Sequence, residues 1–356
     1  MSQNTPPSPC RLRITGDVRQ RVLSAAQLRA GGVSAAEVAA RCRTGGPWQQ
    51  PLPGVYVLHP GPPTGEERLR SALLYAGRPP ASGRRGVPAQ PGPDTEPEYG
   101  EAMVTGLAAL ALHGFAAAPP PASSDRIDVL VPRIRRLRSV RYVHLVRTSE
   151  PPRPEQVHGL PVAPVERALA DAVAGLGDAS AVCRLFTEAV RGGHCEPAAV
   201  VGELSRAGLL GRPQVVTAVD SLLAEGRALA EGRLYDMVRT YGLPEPLWNV
   251  DLRLPGGPHL GGVDAYWLEE AVAVVLDTRA PRHSRPDDAR HQEDHDAQWS
   301  AYAAEREHLE RLGITVVHLS PKKLRDAREQ QAVVVRTALM AAADREPAAY
   351  VMILPR

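Results

Sequence analysis

The apolar run Val272-Ala-Val-Val-Leu276 constrains this chain most. Five consecutive hydrocarbon side chains, largely β-branched, make sense as a central strand buried on both faces. Asp277 closes the run. Asp264 lies in a preceding β-like stretch, Gly262-Val-Asp-Ala-Tyr-Trp267, and Leu268, Glu269 and Glu270 read as the turn between the two. Such a hairpin brings Asp264 and Asp277 towards one edge of a sheet. Carboxylates placed there suit divalent-metal hydrolysis of a phosphodiester, in which the ion activates water and stabilises the leaving oxygen. The pattern equally suits two aspartates that end their strands in solvent.

The flanking sequence extends this into a small domain. Ala228 to Tyr241 has helical spacing, stopped by Gly242-Leu-Pro244, and Leu247 to Leu254 reads as a strand. After Asp277 the pattern predicts a charged loop to His291, a long helix from Gln292 to Leu312, a strand from Ile314 to Leu319 and a closing helix from Pro321. Helix, three strands, helix, strand, helix describes a mixed α/β sandwich. His291 and His295 stand at i and i+4, a spacing that can bind zinc, but Gln292 occupies the place where a metalloprotease helix needs glutamate. Among polar neighbours, that cluster reads more simply as a solvated helix face.

At the other end, apolar residues from Val18 to Leu28 suggest one helix beginning near Asp17 and stopped by Gly31-Gly32. Ser34 with Glu37 is a capping-box signal for a second helix, and a third short helix is expected near Cys42 to Gly45. Trp48 to Leu58, with Leu52-Pro-Gly-Val55 at its centre, resembles the hairpin of a wing. Seven arginines against Asp17 and Glu37 between Arg11 and Arg43 give the sign that phosphate contacts require. Net charge over the whole chain is only +2, so any nucleic-acid affinity must come from such local excess.

The middle of the chain predicts a helix capped by Thr64, a Pro- and Gly-rich loop from Gly77 to Pro97, and a nearly uncharged helix from Glu101 to His113. Two strands, Asp125 to Pro132 and Tyr142 to Arg147, read as a hairpin whose turn carries Arg133, Arg135, Arg136, Arg138 and Arg141. That turn suits a DNA backbone, an acidic partner or plain solvent. Further helices follow through Val165 to Leu223. With 43% hydrophobic residues in 356, each of two or three domains has material for a core. The four cysteines lack paired close spacing and read as free thiols. No apolar run is long enough to span a bilayer, and residues 1–9 show no signal peptide.

These segments together, Trp48 to Tyr56, Gly100 to Leu110, Ile127 to Val146 and Gly159 to Asp171, resemble the AbiEi-type antitoxin and transcriptional-regulator family. The C-terminal part resembles the DUF559 or Vsr-like domain of the restriction-endonuclease superfamily. The resemblance implies an α+β multidomain protein: a winged helix at 14–60, a middle α/β domain at 61–222 and a restriction-endonuclease-like α/β domain at 225–345. It implies a DNA-binding transcriptional regulator; on the reading of the residues themselves, Ser34, Arg41, Arg43, Thr44 and the turn with Arg133, Arg135, Arg136, Arg138 and Arg141 would contact double-stranded DNA. Implied alternatives are a metal-dependent DNA endonuclease and an antitoxin neutralising a nucleotidyltransferase toxin. The family's acidic positions fall on Glu231, Asp264 and Asp277, which would hold magnesium in a nuclease; Arg279, Arg282 and His283 match its following basic segment loosely. The central glutamate is Val275 here, and a hydrocarbon cannot coordinate magnesium. The expectation is therefore a nuclease-like fold without the chemistry and without a cofactor. The protein should be cytoplasmic and nucleoid-associated, should not engage a membrane, and as a regulator could pair with a second copy of itself.

Overall fold

The structure, a computed structural model, describes residues 18–78, 98–278, 307–343 and 351–356. Mixed α and β elements form two compact units, Met1–Pro164 and Val165–Arg356, with three sheets among the described residues.

The first unit opens with α1 (Val18–Arg21), β1 (Val22–Ser24) and α2 (Ala25–Ala30). The single helix expected here is thus interrupted. Val22 is fully buried in a sheet, and Ser24 is extended so that its hydroxyl caps α2 in a complete capping box with Gln27. Ser34 caps α3 (Ala35–Arg41) and accepts from the Glu37 N–H at 3.2 Å. The Glu37 carboxylate turns instead to Arg41, so this second box is only half made. The third helix expected at Cys42 to Gly45 is a turn, with Gly45 at a φ of 79°. Next come β2 (Gln49–Leu52) and β3 (Val55–Val57), joined through Pro53 and Gly54, and the sheet order is β1-β3-β2.

Helix α4 (Gly65–Gly77) carries a full capping box of Thr64 and Glu67 and is buried along most of its length. Two of its buried residues are charged. Arg70 donates to the carbonyls of Val22 and Arg19 at 3.1 and 3.4 Å, to both Glu98 carboxylate oxygens at 2.5 and 3.1 Å, and to the Tyr99 hydroxyl. Glu67, fully buried, accepts from the Thr64 N–H at 2.8 Å, shares a hydrogen bond with His59 at 3.1 Å and lies 3.4 Å from the Arg21 guanidinium. Burial opposes its ionisation. The Thr64 amide, His59 and Arg21 outweigh that and hold the carboxyl below its usual range.

The unit's second sheet has the order β6-β5-β4-β8-β7, from β4 (Met103–Thr105), β5 (Ile127–Pro132), β6 (Val143–Thr148), β7 (Glu155–Val157) and β8 (Leu160–Val162). The helix expected from Glu101 to His113 therefore begins as a strand. Val104 and Thr105 fill the sheet's centre, and Gly106, at φ 63°, turns the chain into α5 (Gly106–Leu112). A Cβ at Gly106 would lie 2.8 Å from the Asp128 carboxylate, so only glycine fits. The expected hairpin of β5 and β6 is also corrected. The two strands are parallel, with Ile127 opposite Val143 and Pro132 opposite Thr148. Residues 133–142 must therefore travel back along the whole strand, and the arginines are spread over that return instead of gathered at a tip.

The second unit begins with α6 (Val165–Gly175), α7 (Ala179–Arg191) and α8 (Pro197–Arg206), followed by α9 (Pro213–Thr240), whose 28 residues run unbroken through the 222–225 boundary expected from sequence. Its sheet has the order β12-β11-β10-β9-β13, from β9 (Leu247–Arg253), β10 (His259–Trp267), β11 (Val272–Leu276), β12 (Thr315–Leu319) and β13 (Met352–Pro355). β9, β10 and β11 form an antiparallel meander, and β12 joins β11 in parallel. α10 (Pro321–Asp326) and α11 (Arg328–Ala342) complete it. As the run Val272 to Leu276 required, one face of β11 packs on α9 and α11 residues such as Leu234 and Val335, and the other packs with Tyr266 and Leu309.

Arg70→Met would leave the Glu98 carboxylate without its cation. Since Glu98 is partly exposed, the expected loss is about 3 kcal/mol, at the low end for breaking a buried pair. A chemical denaturation midpoint within error of the parent would contradict the role given to Arg70.

Candidate functional site

The strand pairing places Asp264 one step beyond the Ala265–Val274 pair, level with Val275. Asp264 is 4% exposed, and both of its oxygens are engaged. Oδ2 accepts the backbone N–H of Leu276 at 2.6 Å, and Oδ1 accepts Arg227 Nη2 of α9 at 2.6 Å. Arg227 also donates from Nε to Glu231 one turn further along α9, at 2.8 Å. Glu231 and Asp264 do converge, but the group between them is a guanidinium. Burial pushes the Asp264 carboxyl above its ordinary range; the Leu276 amide and Arg227 oppose that shift, and Glu231 adds to it.

Asp277 is placed differently. It is exposed, its N–H donates to Leu319 at 2.9 Å, and it lines an open cleft of about 200 Å³ with Arg227, Thr278 and Lys322. Val275 is half-buried and packs among apolar side chains. Magnesium wants several hard oxygen ligands. Asp264 has both oxygens committed, Glu231 is paired, Val275 offers none, and among the described residues no group of three or more His, Cys, Asp or Glu side chains is placed to hold a metal. These residues do not fit a nuclease metal centre. Arg279, Arg282, His283, His291 and His295 lie outside the described residues.

The expected DNA contacts fall in two groups, both within the first unit. Ser34 is exposed, its hydroxyl serving as the α3 cap. Arg41 reaches Glu37 at 2.5 Å and lies 4.5 Å over the Trp48 ring, so it is held against the hairpin. Arg43 and Thr44 are exposed in the turn after α3. The outward face of α3 is mainly Ala35, Ala36, Ala39 and Ala40. In the second group, Arg135 donates to the carbonyls of Ala76 and Arg78 at the end of α4, and Arg141 to those of Gln50 and Pro51 at 2.9 and 2.6 Å. Arg133, Arg136 and Arg138 are exposed.

Sequence reasoning missed Arg227 and Arg70. The Arg227-x-x-x-Glu231 spacing announces a helical pair, but nothing local reveals that the same guanidinium reaches Asp264, 37 positions away. No protein-family model matches the chain, and no curated protein matches it significantly.

Because Asp264 binds its proton more readily in the fold than in the unfolded chain, its contribution is fully present below the unfolded value. It is lost as pH rises through the raised pKa. Arg227→Leu removes a group that favours the ionised form, and should lower the urea midpoint more at neutral pH than at about pH 5. In an Asp264→Asn background that pH dependence should vanish. Equal losses at both pH values in the Asp264 background would show that Arg227 acts through packing alone.

Proposed function

We propose that this protein is a DNA-binding transcriptional regulator whose residues 18–58 form a winged helix-turn-helix. One observation carries the reading: the order helix, strand, helix, helix, strand, strand, with the sheet arranged β1-β3-β2, is the arrangement of that module. In it, α3 is the helix offered to the major groove and the β2–β3 hairpin is the wing. Ser34, Arg43 and Thr44 stand exposed at the two ends of α3, with Arg41 on its last turn against the wing. The alanine-rich face between them offers few groups for reading base edges, so this helix would contribute more to docking than to discrimination.

The C-terminal sheet suits a restriction-endonuclease-like fold in which the chemistry has been replaced. Helix α9, a meander of three strands, a helical turn at 307–311 and a parallel fourth strand follow the order on which the resemblance rests. Arg227 lies where a metal would have to sit between Glu231 and Asp264. As in the AbiEi-type regulators that the chain resembles, DNA contact is then the activity, and the second unit serves as a platform.

Genome-wide mapping of DNA binding, followed by incubation of the recovered DNA with protein and magnesium or manganese, tests this directly. Enriched sites that stay intact are expected, with enrichment unchanged in Asp264→Ala. Cleavage that disappears in Asp264→Ala would establish the nuclease instead. Absence of enrichment, with a nucleotidyltransferase copurifying, would establish the antitoxin.

A further inference from the structure

The return segment between β5 and β6 is an exposed basic ribbon on a pinned backbone. The Arg133 N–H donates to Thr148 at 2.7 Å and the Arg135 N–H to Pro132 at 3.0 Å. The Arg135 side chain grips the end of α4, the Tyr75 hydroxyl donates to the Arg138 carbonyl at 2.8 Å, and Arg147 donates to the Leu137 carbonyl. Ser139 accepts the Leu145 N–H at 3.0 Å. A segment fixed at so many points loses little conformational entropy when it binds something. No acidic residue occurs between Asp128 and Glu150, while Arg133, Arg136 and Arg138 project into solvent. Ile134, in the turn between Arg133 and Arg135, is 83% exposed, the most exposed large apolar side chain among the described residues.

The arginines of the ribbon therefore divide by role. Arg135, Arg141 and Arg147 spend guanidinium hydrogen bonds on backbone carbonyls and hold the ribbon in place; Arg141 fastens it to β2, so the ribbon is tied to the hairpin of the 18–58 module. From this division we infer that Arg133, Arg136 and Arg138 are a second contact with the phosphate backbone of duplex DNA, and that Ile134 between them lies against the minor groove. Rigid presentation, a single sign of charge and an exposed apolar side chain among the cations are what minor-groove contact uses. An acidic protein would be met by the charge but gives no account of the isoleucine. The inference rests on the DNA-binding reading above and extends its footprint beyond one module.

Binding of the full-length protein to a mixed-sequence DNA duplex, measured over a range of salt concentrations, tests it. Each phosphate contact contributes about 0.9 to the slope of log affinity against log salt, so replacing Arg133, Arg136 and Arg138 by alanine should reduce the slope by about 2 to 3. The corresponding lysine variants should keep it, as should alanine at Arg184, Arg239 and Arg253 in the second unit, which removes equal charge elsewhere. Ile134→Ser should weaken binding roughly fivefold with the slope unchanged, as loss of a partly buried apolar contact would. If the parent binds DNA and the alanine variant keeps both slope and affinity, the ribbon meets some other partner and the inference fails while the winged-helix reading survives. If Ile134→Ser binds as tightly as the parent, the minor-groove contact is wrong. A parent protein that does not bind the duplex at all overturns both readings.

Discussion

A guanidinium cannot be buried unless its donors are met, and Arg70 shows how far that requirement shapes the first unit. Its partners come from α1, β1 and the Glu98-Tyr99 segment, while its own backbone belongs to α4. Four stretches of chain are thus committed to one side chain. Burial pushes the Tyr99 hydroxyl up to about 12, which keeps it neutral beside the cation over any ordinary pH. Glu67 adds a carboxylate whose partners come from α1, from β3's following turn and from its own cap. The 18–58 segment is consequently tied to α4 by both groups, and Arg141 ties its hairpin to the return that leads into β6.

The second unit resolves a similar problem with the opposite emphasis. Asp264 must be buried because β10 is central, and a buried carboxylate needs either a cation or a proton. Arg227 supplies the cation from within the chain, where a metal-dependent enzyme would recruit it from solution. With Val275 level with Asp264 and the guanidinium between Asp264 and Glu231, a single cation faces two carboxylates, and the Asp264 carboxyl stays above its ordinary range. The cleft beside Asp277 stays open, but its charges already include Arg227 and Lys322.

Much of this was legible in the sequence where a local rule was strong. The Val272 to Leu276 strand, the hairpin around Leu52-Pro-Gly-Val55 and the Thr64 cap all follow from side-chain branching, turn chemistry and capping. The strands Val22 to Ser24 and Met103 to Thr105 were not legible, because three residues inside a longer stretch with helical spacing fit that period as well as a strand. Alternation marked β5 and β6 as strands but said nothing about their direction, and so their parallel pairing was read as a hairpin. Helices read as ending at Leu223 and starting again at Ala228 are one continuous helix, and Gly226 within it has no room for a side chain because the ring of Pro197, at the start of α8, packs against it. The aspartates of the candidate site could be placed on strands from sequence alone. Their occupancy by Arg227 is a property of the tertiary fold, and no spacing rule reaches it.

That continuity of α9 has a mechanical meaning. At 1.5 Å per residue, 28 helical residues make a rod of roughly 40 Å. Its first half lies in the helical array, where Val215, Ala218 and Leu222 are buried, and its second half, from Ala230 to Val238, is built into the core beneath the sheet. Arg227 sits near the midpoint. Helical array and sheet therefore share one unbroken stretch of backbone, so a tilt of the array would have to swing the far end of the rod or strain the grip on Asp264.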